Sequence, residues 1–354
     1  METTQITVQS NTKTPISKIA LGSGLTLFLV LLAVIIYQVT YQPRSRFQAA
    51  SLAWKSNRGE LFYFSLDQTT PQLRYLKTQP PYTFDNDKPL PNPSRPPFAV
   101  IWGNNKALTI DQINFTTDKW FSLLDLDQKT YTLVGLPQAT QILSFSPDDQ
   151  KIAYATVTDE AGFNNISLFS VKTLSVSERE ILPKSLANIT DLWWVFDGQK
   201  LLIAAQPDIF NFSRDLSLFD LATQESTPIF SQKDGYTNFS ASQTKLLFLS
   251  KDGVTLLDLE KNITRIIYDF DGDAYRLRCL WVDEKQALCQ TIDSSFTKRQ
   301  FVLLETEKSQ AKVIYEIPIE KREQVNLFFA YEDQKKTLAY LDEKGIIRLV
   351  KTNL

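Results

Sequence analysis

The chain has no histidine at any of its 354 positions. That absence removes Ser-His-Asp and Cys-His nucleophilic catalysis, and most zinc sites with them, because imidazole is the usual base and a usual ligand. A basic block is missing too. Outside the first 18 residues the chain carries 36 basic and 39 acidic side chains, a net of −3. Nothing in that balance neutralises a phosphate backbone, so nucleic acid is not an expected partner. Carboxylates are plentiful, but hydrolysis by a carboxylate pair depends on a separation that spacing along the chain does not reveal. The one acidic cluster, Asp269, Asp271 and Asp273 within Tyr268–Tyr275, begins like a calcium loop. Such loops need Gly at the sixth position and Glu at the twelfth. Here Gly272 is fourth and Leu280 is twelfth, so the stretch reads as a solvated turn, with weak calcium binding as the alternative. No catalytic residue, metal or cofactor is expected, and the chain is expected not to be an enzyme.

What the chain does have is a repeat, clearest in Ile142–Ala155. An apolar strand ends on Phe145, a turn follows at Ser146-Pro147-Asp148-Asp149, and a second strand leaves from Lys151 with Ile152 and Tyr154 alternating. Pro fixes φ early in the turn, and Asp hydrogen-bonds its own backbone. Aligned on the aromatic before the turn, the units begin at Trp54, Trp102, Phe145, Trp194, Phe239, Trp281 and Tyr331, spaced 42 to 50 residues apart. Seven residues after the aromatic an apolar residue opens the second strand (Leu61, Ile152, Leu201, Leu246, Leu288, Leu338), and Leu108 comes after six. A third strand of polar–apolar–apolar–polar pattern follows, as in Ser122–Asp125, Ser217–Asp220 and Thr255–Asp258, and then an edge-like fourth. A period in the forties with four short strands per unit predicts an all-β fold, a seven-bladed β-propeller of four-stranded blades. A β-sandwich has no reason to repeat one aromatic-turn-apolar unit seven times.

The run Phe145–Tyr154 resembles the repeat of TolB-type, WD-repeat-like propellers, in which an aromatic-Ser-Pro-Asp-Gly turn leads into the second strand. Trp194–Leu201 is a further copy without the Ser and Pro. The resemblance spans roughly residues 49–354 and implies a periplasmic translocation partner or a propeller domain attached to a peptidase. It speaks for fold more than for function. The Asp-box of sialidase propellers and a quinone-cofactor motif are both missing.

Residues 1–18 form a polar tail. Residues 19–41 are expected to be a transmembrane signal anchor, because Ile19–Pro43 carries no charge and about 20 apolar residues span a bilayer core. A cleaved signal peptide would have a shorter apolar run and a small-residue cleavage site, which Gln38–Tyr41 does not offer. Lys13 and Lys18 before the span nearly balance Arg44 and Arg46 after it. The short tail and large following domain place the N-terminus in the cytoplasm and the propeller, residues 42–354, in the periplasm or on the cell surface. Gln79–Pro97 holds seven prolines and reads as a strap over a blade edge or a partner-docking segment, barred from a strand ladder. The last blade lacks a fourth strand of its own. Either Val39–Pro43 closes the ring or that blade has three strands.

Cys279 and Cys289 lie at equal distances from Glu284 on paired strands of the sixth blade. They form a disulfide if the pair is non-hydrogen-bonded, or two buried thiols. The loops between second and third strands carry Phe115, Phe163, Phe210, Phe212 and Phe296, which would ring one face of the propeller as a contact surface, or tuck against their own blades. The expectation is a membrane-anchored, extracytoplasmic protein-interaction scaffold, with an envelope or membrane protein as partner. The alternative is a ligand- or glycan-binding propeller using the channel mouth, which clustered Trp and carboxylates there would favour.

Overall fold

The computed structural model describes residues 44–55, 60–65, 72–77, 88–91, 97, 99–112, 119–137, 140–157, 164–178, 189–206, 214–232, 239–250, 252–269, 277–319, 328–342 and 344–352. The expected polar tail, anchor and Val39–Pro43 lie outside them. Among the described residues no helix is long and apolar enough to cross a membrane. The chain is a seven-bladed β-propeller of four-stranded antiparallel blades, with 27 strands among the described residues because one strand serves two blades.

Side-chain alternation explains why the blades must stack. The second strand of the fourth blade, Lys200–Ala205, is buried along nearly all its length. Its residues point alternately to opposite faces. Leu201 and Ile203 join Ala153, Leu168 and Trp194 in the core shared with the third blade. Leu202 and Ala204 join Leu216, Phe248 and Leu257 in the core shared with the fifth. The described residues form seven such cores, one for each seam around the ring. Outer strands have only one neighbour, and Ile263–Tyr268 is accordingly exposed over its first four residues.

The polar end of the third-strand pattern is a turn cap. Asp125 Oδ1 accepts from the backbone N–H groups of Asp127 and Gln128, both at 2.9 Å. Asp220 and Asp258 do the same for the two N–H groups that follow them. Each turn then passes through a left-handed residue: Lys129 (φ 57°), Gln224 (φ 59°) and Asn262 (φ 53°).

Two sequence expectations change. The ring closes through Arg44–Gln48, where Arg44 pairs with Arg348 and Gln48 with Ile346, so the last blade has four strands. The same strand, Arg44–Lys55, crosses a bulge between Ala49 and Ser51 and continues as the inner strand of the first blade, with Trp54 opposite Leu61. No loop intervenes, which is why counting back by an ordinary blade connection overshoots. The proline-rich stretch does enter a ladder: Lys88–Pro89 pairs with Tyr75 and Arg74. It is an outermost strand, where the missing N–H of proline faces no partner. In the fifth blade the residue opposite Leu246 is Ala241 and not the repeat aromatic Phe239, because the blade turns through Gln243-Thr244 alone. Leu288 likewise faces Leu280 and not Trp281.

Indole groups cross the seams in one direction. Trp194 Nε1 donates to the Ser144 carbonyl of the preceding blade (2.9 Å), Trp281 Nε1 to that of Ser240 (2.8 Å), and Trp102 Nε1 to Ser51 Oγ (3.3 Å). At the seam between last and first blades the pattern changes. Glu332 is fully buried, and neither its two oxygens nor Trp54 Nε1 has a well-formed hydrogen bond among the described residues. Burial pushes the Glu332 carboxyl above the usual range, against the lowering effect of the nearby Trp54 indole.

With the folded value raised, the native state holds a proton that the unfolded chain has released, so stability falls as pH rises above about 4.3, the ordinary glutamate value. Glu332→Gln is expected to flatten that fall and to stabilise the protein at pH 7 by about 1 kcal/mol. Urea unfolding at pH 4.5 and pH 7 reads it, and a variant less stable than wild type at pH 7 would show the carboxylate to be partnered.

Candidate functional site at the hairpin rim of blades two to five

The turns joining first and second strands share one rim of the ring, and their side chains clasp each other from blade to blade. In the third blade, Ser146 Oγ donates to Asp148 Oδ1 (2.6 Å) and accepts from Lys151 N–H (2.8 Å). The Ser146 hydroxyl holds the Asp148 carboxyl below the usual carboxylate range. Asp149 stands where the repeat it resembles has glycine, and it keeps a left-handed backbone (φ 56°). Its buried carboxylate crosses to the second blade and accepts from Asn104 N–H (2.8 Å) and from Asn105 N–H. Gly103 makes room for this contact, since a Cβ there would lie 2.5 Å from Asp149 Oδ1.

The same clasp recurs with other side chains. Gln243 of the fifth blade accepts from the fourth through its carbonyl (Phe196 N–H, 2.8 Å) and through Oε1 (Asp197 N–H, 2.7 Å). Glu284 of the sixth accepts from Gln243 N–H (2.9 Å), Ser242 Oγ (3.0 Å) and Thr244 Oγ1 (3.0 Å). In each case the later blade supplies the acceptor, satisfying turn N–H groups that would otherwise go unpaired.

Inside this rim lies an open cavity of about 250 Å³. Trp102, Phe145, Pro147, Trp193 and Trp194 give its apolar walls, and Asn104, Asp149 and Gln243 its polar ones. Trp193 and Trp194 are consecutive on one strand and face opposite sides. Trp194 enters the core shared with the third blade, while Trp193 meets Phe239 edge-on at 6.0 Å. Both Asp149 oxygens are engaged. Asn104 Nδ2 donates to the Pro147 carbonyl (2.6 Å). Beside the aromatic rings, the amides of Asn104 and Gln243 and the Asp149 carboxylate keep further donor and acceptor capacity toward the cavity.

Of the expected aromatic face, Phe115, Phe163, Phe210 and Phe212 lie outside the described residues. Phe296 is half-buried in the turn after the second strand of the sixth blade, with φ 56°. Asp293 sets that turn, accepting from Thr297 N–H (2.8 Å), Lys298 N–H (2.7 Å) and Thr297 Oγ1 (2.7 Å). Burial pushes its carboxyl up, but the bonds from Ser295, Lys298 and Thr297 together outweigh that push and hold it at about 2. Cys279 and Cys289 face each other across the inner two strands of the sixth blade and are joined by a disulfide. No group of three or more metal-binding side chains occurs among the described residues. Trp193, Asn104 and Gln243 were not anticipated as site residues. The available signal was the Trp193-Trp194 pair, since alternation forbids both from entering one core.

No family model matches the chain, and no curated protein matches it. Solved structures do share its shape. One of two prolyl endopeptidases analysed for inter-domain dynamics aligns over 87% of this chain and 50% of its own, at 12% identity and a TM-score of 0.56. An oligogalacturonate lyase in complex with manganese aligns over 83% and 79%, at 15% identity and 0.53. The tricorn protease aligns over 88% and 34%, at 10% identity and 0.57. These likenesses show a propeller. The chain spans half the length of the endopeptidase and about a third of the tricorn protease. They also correct the expectation that the chain is not an enzyme: the neighbours that share its fold are enzymes, so a missing histidine does not take enzymatic function away from this architecture.

Two substitutions test the rim. Asp149→Ala leaves two turn N–H groups without their charged acceptor and is expected to cost about 1.5–3 kcal/mol. Gly103→Ala should destabilise through the same contact, by pushing the carboxylate away. Thermal unfolding of both single variants and the double variant reads this, and strictly additive losses would show that the two residues do not act through one contact.

Proposed function

We propose that the chain is a single-pass, membrane-anchored propeller that works outside the cytoplasm as a protein-interaction scaffold, held by residues 19–41, with the hairpin rim of blades two to five as its working surface. The observation that carries this reading is the cavity: three tryptophans, a phenylalanine and a proline surround an opening in a rim otherwise closed by hydrogen bonds. Aromatic pockets of this kind receive the few anchor side chains that dominate protein interfaces. The uncharged apolar run Ile19–Pro43 supports the anchor, and the Cys279–Cys289 disulfide supports an oxidising compartment. A TolB-type kinship would agree with such a role.

Affinity purification from detergent-solubilised native membranes tests the scaffold. The native chain is run beside Trp193→Ala and beside a variant with Phe115, Phe163, Phe210, Phe212 and Phe296 changed to Ser. A partner lost with folded Trp193→Ala alone is the expected result. Loss with the Phe variant alone would move the interface to the opposite rim, and a partner retained by both would overturn both faces. For the location, protease added to intact cells with the outer layer permeabilised should degrade the propeller, and full protection would refute the exported orientation.

A further inference from the structure

We infer that the rim cavity receives an arginine side chain of the protein partner, an inference that rests on the scaffold reading above and names the anchor the partner inserts. Charge makes the first selection. The amides of Asn104 and Gln243 can turn either polarity to an occupant, so they do not discriminate. The Asp149 carboxylate does. Its two bonds come from the backbone N–H groups of Asn104 and Asn105, which are neutral dipoles and leave its negative charge in place. Among the described residues no lysine or arginine lines the cavity. Lysines on the same blades are turned to other carboxylates, Lys106 to Asp125 (2.9 Å) and Lys200 to Asp220 (3.1 Å). Two further carboxylates stand on the flanking turns. Asp148 follows the lining residue Pro147 and is exposed. Asp197, also exposed, sits on the turn whose N–H groups are held by Gln243, and it forms no ion pair among the described residues. An opening lined by one sign of charge, with low-dielectric rings for walls, draws in the opposite sign.

Shape and hydrogen bonding then favour a guanidinium over an ammonium. A guanidinium is flat, has five donors and no acceptor, and stacks on an aromatic face while its edge hydrogen-bonds. An ammonium is a compact and more strongly hydrated point charge. The cavity sets the half-buried rings of Trp102, Phe145 and Trp193 beside the Asp149 carboxylate, Asn104 Oδ1 and the Pro147 carbonyl, which all keep lone-pair capacity. Donors in the same lining are more heavily committed. The indole N–H groups of Trp102 and Trp194 go to Ser51 and Ser144. A volume of about 250 Å³ admits one long side chain, and arginine is among the residues that most often anchor protein interfaces.

The test uses the full chain in neutral detergent micelles and an acetylated, amidated Gly-Ser peptide with one central arginine and a neutral BODIPY label, read by fluorescence anisotropy. Saturable binding is expected, weakening as salt is raised. The same peptide with citrulline, which keeps the shape and loses the charge, should bind at least tenfold more weakly, about 1.4 kcal/mol. Asp149→Asn and Trp193→Ala should each cost at least as much, with unfolding midpoints showing which variants fold. The citrulline comparison stands even where a variant does not fold. Absence of saturable binding, equal affinity for the citrulline peptide, unchanged affinity in folded Asp149→Asn, or a lysine peptide that binds as tightly would overturn the inference. A native partner still lost with Trp193→Ala while the arginine peptide fails to bind would sink this inference and leave the scaffold reading standing.

Discussion

Everything in this structure depends on middle strands that are buried on both faces. In Lys200–Ala205, odd-numbered residues belong to one seam and even-numbered residues to the next, so no blade owns a complete core. Burying a leucine contributes about 1.5–3 kcal/mol, and every blade places half of its apolar residues against each neighbour. An open ring would leave two unmatched faces. Closure by Arg44–Gln48 on Ile346–Arg348 is therefore a requirement of the packing, and the core holding Leu61, Tyr63, Ala339 and Leu349 is its apolar counterpart.

Hydrogen bonds across the seams add direction and register to that packing. Indoles of later blades reach back to earlier ones, and turn side chains of later blades accept from earlier turns. The consequence for the rim is chemical. The Asp149 carboxylate is held in place by two turn N–H groups, and two of the cavity's indoles spend their N–H groups on the framework. The surface left between blades two and five sets aromatic rings beside polar groups fixed by their neighbours. Stiffness matters for recognition, because side chains already locked by neighbours lose little entropy on binding. The seam at Glu332 is the exception among those described, with a buried carboxylate where other seams use a carbonyl or hydroxyl.

The blades were legible in the chain because their signals are local. Ser146-Pro147-Asp148 makes its turn from its own hydroxyl and carboxylate, and the terminal Asp of the third-strand pattern caps the N–H groups two and three residues on. The repeat aromatic stands opposite the apolar residue seven positions on where the turn keeps its full length, as at Trp54 with Leu61 and Trp194 with Leu201. At Phe239 a two-residue loop shortens the turn, and Ala241 takes the place opposite Leu246. Pro89 was misread because its position at the outer edge, which makes a missing N–H harmless, is a fact of the sheet and not of the residue.

The candidate site was legible only in part. Trp102 and Trp194 announced themselves as repeat markers, but nothing near Asn104 or Gln243 indicated that each would be held beside a cavity. The partners that fix those side chains are 43 and 46 residues away. By itself, then, the sequence determined the turns and the seven-fold repeat, because period-two alternation and turn chemistry act between residues within a few positions of one another. Tertiary structure alone decided how the ring closes, which carboxylates are held by turn N–H groups and where the rim stays open, because those depend on groups a full blade apart that meet only when the sheets curve into a ring.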